Sequence, residues 1–202
     1  MTIRRGLYAI TDNALGEQLL PAVRAALEGG IVLLQYRDKS ADHARREQEA
    51  RALLALCREF SCPLLINDDL ALALEVGADG VHLGRHDGAL RTAREKMGPA
   101  AIIGATCHDS LGLAAEAASA GASYLAFGAI HASRTKPGAG TASLATLAAA
   151  RHFNLPVVAI GGISTDNAAP VIAAGADCLA VISDLWQAPD IRAHVREFSR
   201  LF

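Results

Sequence analysis

Gln35-Tyr36-Arg37-Asp38-Lys39 follows the apolar run Ile31-Val32-Leu33-Leu34 and sets one amide and two cations at alternate positions. Side chains alternate along a strand, so Gln35, Arg37 and Lys39 are expected on one side and Tyr36 and Asp38 on the other. The planar fork of Arg and the mobile ammonium of Lys suit the oxygens of a phosphate or diphosphate. Taken alone, the segment reads equally well as a solvated strand end. Two other segments carry complementary chemistry: Asn67-Asp68-Asp69, and Arg85-His86-Asp87 after His82-Leu83-Gly84. Carboxylates from adjacent strand ends can hold magnesium, which takes a few hard oxygens plus phosphate and water. Asp68 and Asp87 are the metal candidates, and Asp69 reads as the cap of a helix beginning near Leu70. His82, His86 and His108 offer a transition-metal alternative, but no HxH or HExxH pattern supports it, and His82 falls inside a strand.

A second group of residues also points to anions. His131-Ala132-Ser133-Arg134-Thr135-Lys136-Pro137-Gly138-Ala139-Gly140 combines hydroxyls and cations with a Gly-rich tail, as a mobile phosphate loop would. It is not a Walker loop, because Lys136 precedes the glycines. Gly161-Gly162-Ile163 and Ile182-Ser183 end two later apolar runs; the glycines serve either turn geometry or a phosphate. Together these residues suggest two anion sites. One joins Gln35, Arg37, Lys39 and Lys136 to a metal on Asp68 and Asp87. The other uses Ser133, Thr135, Gly162, Ile182 and Ser183 without a metal. A metal-bound diphosphate facing a monophosphate implies two phosphorylated substrates, one carrying a leaving group.

Something must bring these segments together. Short β-rich runs recur at Leu7–Ile10, Ile31–Tyr36, Leu64–Asn67, Gly80–Leu83, Ile102–Thr106, Tyr124–Ala129, Val157–Ile160 and Cys178–Ile182. Between them lie stretches of helical period such as Ala41–Phe60 and Ser143–Phe153. Alternating strands and helices imply a parallel sheet. Gly77-Ala78-Asp79, Gly121-Ala122-Ser123 and Gly175-Ala176-Asp177 mark repeated helix-to-strand junctions. Eight such units predict a single-domain α/β fold over 1–202, a (β/α)₈ TIM barrel with its site at the C-terminal ends of the strands. An open doubly wound sheet is the alternative, but the first βα turn lacks Gly-x-Gly-x-x-Gly.

Composition sets the outer bounds. The 202 residues are 51% hydrophobic, with a formal charge of −2, which offers nucleic acid no general attraction. The N-terminus does not read as a signal peptide, and no apolar run reaches the roughly 18 residues of a membrane span. Cys57, Cys62, Cys107 and Cys178 lack CxxC spacing, so buried thiols in a reducing cytoplasm are expected.

With these motifs in register, the chain resembles the thiamine-phosphate synthases. The likeness rests on Gln35–Lys39, Ile66-Asn67-Asp68, Gly80-Val81-His82-Leu83-Gly84 with Asp87, Thr135-Lys136-Pro137-Gly138 and Ala159-Ile160-Gly161-Gly162-Ile163, and it runs from about Leu7 to Trp186. It implies a transferase that joins a hydroxymethylpyrimidine diphosphate to a thiazole phosphate, releasing diphosphate and forming thiamine monophosphate. It places Gln35, Tyr36, Arg37, Asp38, Lys39, Asn67, Thr106 and Lys136 on the pyrimidine diphosphate, with Arg37, Lys39 and Lys136 assisting its departure. It puts magnesium on Asp68 and Asp87, and Ser133, Arg134, Thr135, Gly162, Ile182 and Ser183 on the thiazole phosphate.

Several positions depart from the family's common pattern. Thr106 stands where serine is usual, and Ser133 where threonine is frequent. His86 and His131 replace an acidic or polar residue and an aromatic one. Asp184 sets a carboxylate beside the expected phosphate. The implied chemistry is a dissociative substitution that needs no side-chain nucleophile. The rivals are a thiazole tautomerase of the synthase-like branch, in which His108 would be the proton-transfer candidate, and a non-catalytic phosphate-ligand sensor. Homo-oligomerisation stays open.

Overall fold

In the computed structural model, which describes residues 3–84, 87–131 and 141–202, every one of the β-rich runs forms a strand. The order is β1 (Gly6–Ile10), α1 (Leu19–Gly29), β2 (Leu33–Tyr36), α2 (His43–Glu59), β3 (Leu64–Asn67), α3 (Leu70–Val76), β4 (Gly80–Leu83) and α4 (Asp87–Met97). It continues with β5 (Ile102–His108), α5 (Leu111–Ser119), β6 (Tyr124–Gly128), α6 (Leu144–Ala150), β7 (Val157–Ile160), α7 (Ala168–Ala173), β8 (Cys178–Val181), α8 (Ser183–Trp186) and α9 (Ile191–Ser199). All neighbouring strands pair parallel, and β8 closes on β1 through Gly6–Cys178, Leu7–Leu179, Tyr8–Ala180 and Ala9–Val181. The closed (β/α)₈ barrel excludes the open sheet. Among the described residues no helix is long and apolar enough to cross a membrane.

The differences in element ends have local causes. Ile31 and Val32 precede β2 because Gly30 caps α1 in the left-handed region and the Ile31 amide turns back to the Ala26 carbonyl. Ser143 lies outside α6 as its N-cap, its hydroxyl accepting from the Thr146 amide at 3.1 Å. Asp69 caps α3 by accepting from the Leu72 amide at 2.9 Å.

The recurring Gly-Ala-Asp/Ser junction now has a physical account. Its third residue reaches back to the start of a strand. Asp79 accepts from the Leu64 amide at 2.8 Å, Ser123 from Ile103 at 3.0 Å, and Asp177 from Val157 at 2.9 Å. Each satisfies an amide at the N-terminal rim of the barrel, away from the site.

Alternation along the strands feeds two cores. Leu7, Ala9, Leu34, Tyr36, Ile66, Ile103 and Phe127 face outward and pack with helix residues such as Leu53, Leu72 and Val195. Tyr8, Ile10, Leu33, Leu65, Ile102, Tyr124, Val158 and Cys178 fill the barrel interior. Each fully buried Leu or Val contributes roughly 1.5–3 kcal/mol by leaving water. Two tyrosines in that interior need partners for their hydroxyls.

Candidate active site

The strands end around a cavity of about 240 Å³ at the C-terminal mouth of the barrel. Gln35, Arg37, Asn67, Asp68, Thr106 and Ile182 all line it. Strand closure therefore gathers six of the expected site residues from β2, β3, β5 and the end of β8.

Local hydrogen bonds explain how the β2 end is aimed. The Thr11 hydroxyl accepts from the Arg37 amide at 2.8 Å, while the Thr11 amide donates to the Gln35 carbonyl at 2.9 Å. This clasp continues the alternation past the strand. Gln35 is buried and faces inward, and Arg37 reaches the mouth. Tyr36 and Asp38 face the helices instead: the Tyr36 hydroxyl donates to Glu49 at 2.6 Å, and Asp38 accepts from Arg45, Ser40 and Asn13. Burial alone would raise the Asp38 carboxyl, but hydrogen bonds from Ser40 and the Arg45 guanidinium outweigh it and hold the group below its ordinary value. The structure does not bring these two side chains into the cavity, because the pleat sends them outward. Lys39 is exposed and is not part of the described lining.

Asp68 is aimed by backbone geometry. It adopts φ 57°, a left-handed conformation that an L-residue enters at some cost and that clusters at functional sites. Its amide donates to the His82 carbonyl at 2.8 Å, and Asn67 Nδ2 donates to Asp68 Oδ2, also at 2.8 Å. A carboxylate held at the mouth, beside an amide that shares the load, fits a hard divalent cation. Asp87 opens α4, and its side chain lies outside the described residues. Among the described residues one other cluster could hold an ion, His43, Glu47 and Glu75 on α2 and α3; none of the three lines the cavity. Both ring nitrogens of His82 meet hydroxyls, Tyr124 at 2.7 Å and Thr106 at 2.9 Å, which argues against its serving as a metal ligand.

Ser133, Arg134, Thr135 and Lys136 lie outside the described residues, as does His86. The strand end leading to that segment is fixed, with Ile130 and His131 amides donating to the Ile160 and Gly161 carbonyls at 3.0 Å each. Gly161 and Gly162 both take left-handed φ, 108° and 59°, and a Cβ on Gly161 would lie 2.5 Å from that of Ala129. Gly162 and Ser183 stand at the β7 and β8 ends but outside the lining described, whereas Ile182 is within it. The Asp184 carboxylate pairs with His194 of α9 at 2.6 Å.

Sequence reasoning missed the cavity floor. Tyr8 and His82 line it with Thr106 and Gln35, and Tyr124 lies buried beneath, hydrogen-bonded to both Tyr8 and His82. The available signal was that two of the chain's three tyrosines and one histidine occupy strand positions that alternation turns inward. A bulge between Thr106 and His108 shifts the β5–β6 register, and His108 lines the mouth at φ 53°.

A family model described as thiamine monophosphate synthase matches residues 7–185. The chain belongs to the thiamine monophosphate synthase family. Its relatives cover it almost end to end. A protein from Thiobacillus denitrificans named thiamine-phosphate synthase is 55% identical, covering 100% of this chain and 96% of its own. A protein of the same name from Methylobacillus flagellatus is 52% identical over 98% of this chain and 95% of its own. Among solved structures, a thiamine phosphate pyrophosphorylase from Pyrococcus furiosus superposes with a TM-score of 0.88 at 37% identity, covering 98% of this chain and 96% of that one. These relatives favour the synthase over the tautomerase and the sensor.

Proposed function

We propose that this synthase-family member condenses 4-amino-2-methyl-5-hydroxymethylpyrimidine diphosphate with 4-methyl-5-(2-phosphoethyl)thiazole, giving thiamine monophosphate and diphosphate. The observation that carries the reading is the convergence of Arg37, Asn67 and Asp68 above Gln35 and Thr106 in one cavity, in a chain whose relatives are named for this synthesis. The methylene C–O bond breaks and diphosphate leaves with the electron pair; the lone pair of the thiazole nitrogen then forms the C–N bond. The electron-rich aminopyrimidine disperses the positive charge between the two events.

No residue need act as a nucleophile. Arg37, Lys39 and Lys136 neutralise the departing diphosphate, each charge pair worth about 4 kcal/mol at 4 Å and an effective dielectric near 20, before desolvation. Asp68, with Asp87, would hold a magnesium ion whose charge supports the same departure. Gln35, Asn67 and Thr106 orient the pyrimidine diphosphate. Ser133, Arg134, Thr135, Gly162, Ile182 and Ser183 seat the thiazole phosphate. Tyr36 and Asp38, turned to the helices, act by holding the strand end. We read the whole of 1–202 as one barrel domain in the cytoplasm, where its four free, buried thiols are stable. Incubating both substrates with magnesium should release thiamine monophosphate and diphosphate in equal amounts. Folded protein that forms neither would overturn the assignment.

A further inference from the structure

Five side chains from β1, β2, β4, β5 and β6 form an unbroken hydrogen-bonded chain across the cavity floor. Gln35 Nε2 meets the Tyr8 hydroxyl at 2.5 Å, Tyr8 meets the Tyr124 hydroxyl at 2.8 Å, Tyr124 meets His82 Nδ1 at 2.7 Å, and His82 Nε2 meets Thr106 Oγ1 at 2.9 Å. The rings are packed as well: His82 stacks on Tyr124 with centroids 5.6 Å apart, and Tyr8 meets Tyr124 edge-on at 5.9 Å. Gly104 makes room for this, since a Cβ there would lie 2.2 Å from the Tyr124 hydroxyl.

Each hydroxyl in the series has one proton to give. Burial pushes both phenols well above their ordinary value, so neither is lost near neutrality. A neutral imidazole donates from one nitrogen and accepts at the other. Only two orderings spend both buried phenol protons within the series, and any other leaves a buried O–H unpaired. With Gln35 donating its amide N–H to Tyr8, Tyr8 donates to Tyr124, Tyr124 to His82 Nδ1, and His82 Nε2–H to Thr106. The Thr106 proton is then left for the cavity, and Gln35 keeps its carbonyl Oε1 as an acceptor. The opposite ordering would reverse what both ends offer.

We propose that Tyr8, Tyr124 and His82 are positioning residues that lock this polarity, so that the floor presents an acceptor on Gln35 and a donor on Thr106. The inference rests on the pyrimidine assignment made above. It adds a specificity rule: an aminopyrimidine, with an exocyclic N–H donor and a ring-nitrogen acceptor, matches the floor. A 4-oxo pyrimidine, whose carbonyl replaces the amine and whose adjacent ring nitrogen carries hydrogen, presents the inverse pattern and leaves polar groups unpaired. Tyr8, Tyr124 and His82 act through Gln35 and Thr106, the two ends of the series. Their role is to fix which way the two terminal groups point.

The test has two arms. In the full-length protein without substrates, ¹⁵N NMR of the imidazoles, with His82→Asn used to assign the signal, should show His82 protonated at Nε2 and bare at Nδ1. Protonation at Nδ1 would overturn the proposal. In the second arm, Tyr124→Phe removes the middle hydroxyl while keeping the ring. It should reduce the preference for the 4-amino over the 4-oxo pyrimidine diphosphate by about tenfold, the discrimination of one hydrogen bond. The KM for the thiazole phosphate should hardly change. A folded Tyr124→Phe protein that keeps the full preference would also overturn the proposal. The tautomer is read without turnover, so it decides the polarity independently; a wild-type protein that makes no thiamine monophosphate would instead count against the proposed function.

Discussion

From β2 to β5 the cavity wall is mostly polar, contributed by Gln35, Arg37, Asn67, Asp68, His82 and Thr106, whereas from β6 to β8 it is Ala126, Gly128, Val158, Ile160, Ala180 and Ile182. One closed sheet thus builds two half-sites with different physics. The polar half has charges and a fixed hydrogen-bond series, the means needed to stabilise a leaving anion. The other half has shape, with glycines that bring the backbone close. On the proposed reading, electrostatic preorganisation is concentrated where charge would develop, and the apolar half would seat the second substrate and exclude water.

The largest break should come from Asp68. Asp68→Ala removes the described carboxylate of the proposed metal site and should lower kcat by about 10³-fold, equivalent to ~4 kcal/mol. Excess magnesium should recover little of it, and a chelator should reduce the wild-type protein to a similar level. Turnover indifferent to both treatments would remove the metal from the polar half. Next is Arg37→Ala, with an expected loss of about 10²-fold in kcat/KM for the diphosphate substrate. Arg37→Lys should restore only part, since charge returns without the fork. Equal activity in the two variants would mean that charge alone matters at β2.

The apolar half should respond differently. Ala180 is 3% exposed and faces the cavity from β8, so Ala180→Val adds two methyl groups where the thiazole is proposed to sit. KM for the thiazole phosphate should rise about tenfold, the scale of a methyl-sized misfit in an apolar pocket, with KM for the pyrimidine diphosphate within about twofold. A reversed pattern would exchange the substrates between the halves.

The two halves also differ in how far the sequence discloses them. Arg37 and Asp68 stand out because charges at the ends of apolar runs have no role in a barrel wall. The strand series was equally clear, since breakers and apolar runs repeat with little ambiguity. The floor was not, because its contacts join residues 116 and 42 positions apart, Tyr8 with Tyr124 and His82 with Tyr124, and exist only once the barrel closes. Val158 and Ala180 read as ordinary core, since nothing in a buried run marks the residue that borders a cavity. Gln35–Lys39 is instructive in another way. Alternation separated Tyr36 and Asp38 from Gln35 and Arg37, whereas resemblance treated all five alike, and the geometry follows alternation.

Asp38 gives the smallest and most selective test of that separation. Its side chain is 3% exposed against Arg45, and its depressed carboxyl is a structural contribution if the residue does not meet substrate. Asp38→Asn should cost about 1–2 kcal/mol of stability at pH 7, the worth of a charge-assisted hydrogen bond, and leave both KM values within about twofold. Because the folded group binds its proton less readily than an unfolded Asp near 3.9, the wild-type advantage is complete above about pH 5. It shrinks as pH falls below about 4, where the unfolded chain takes up the proton first, and it is gone below the folded value. Denaturant unfolding of both proteins across that range reads the effect directly. A raised KM for the pyrimidine diphosphate at unchanged stability would return Asp38 to the polar half of the mouth.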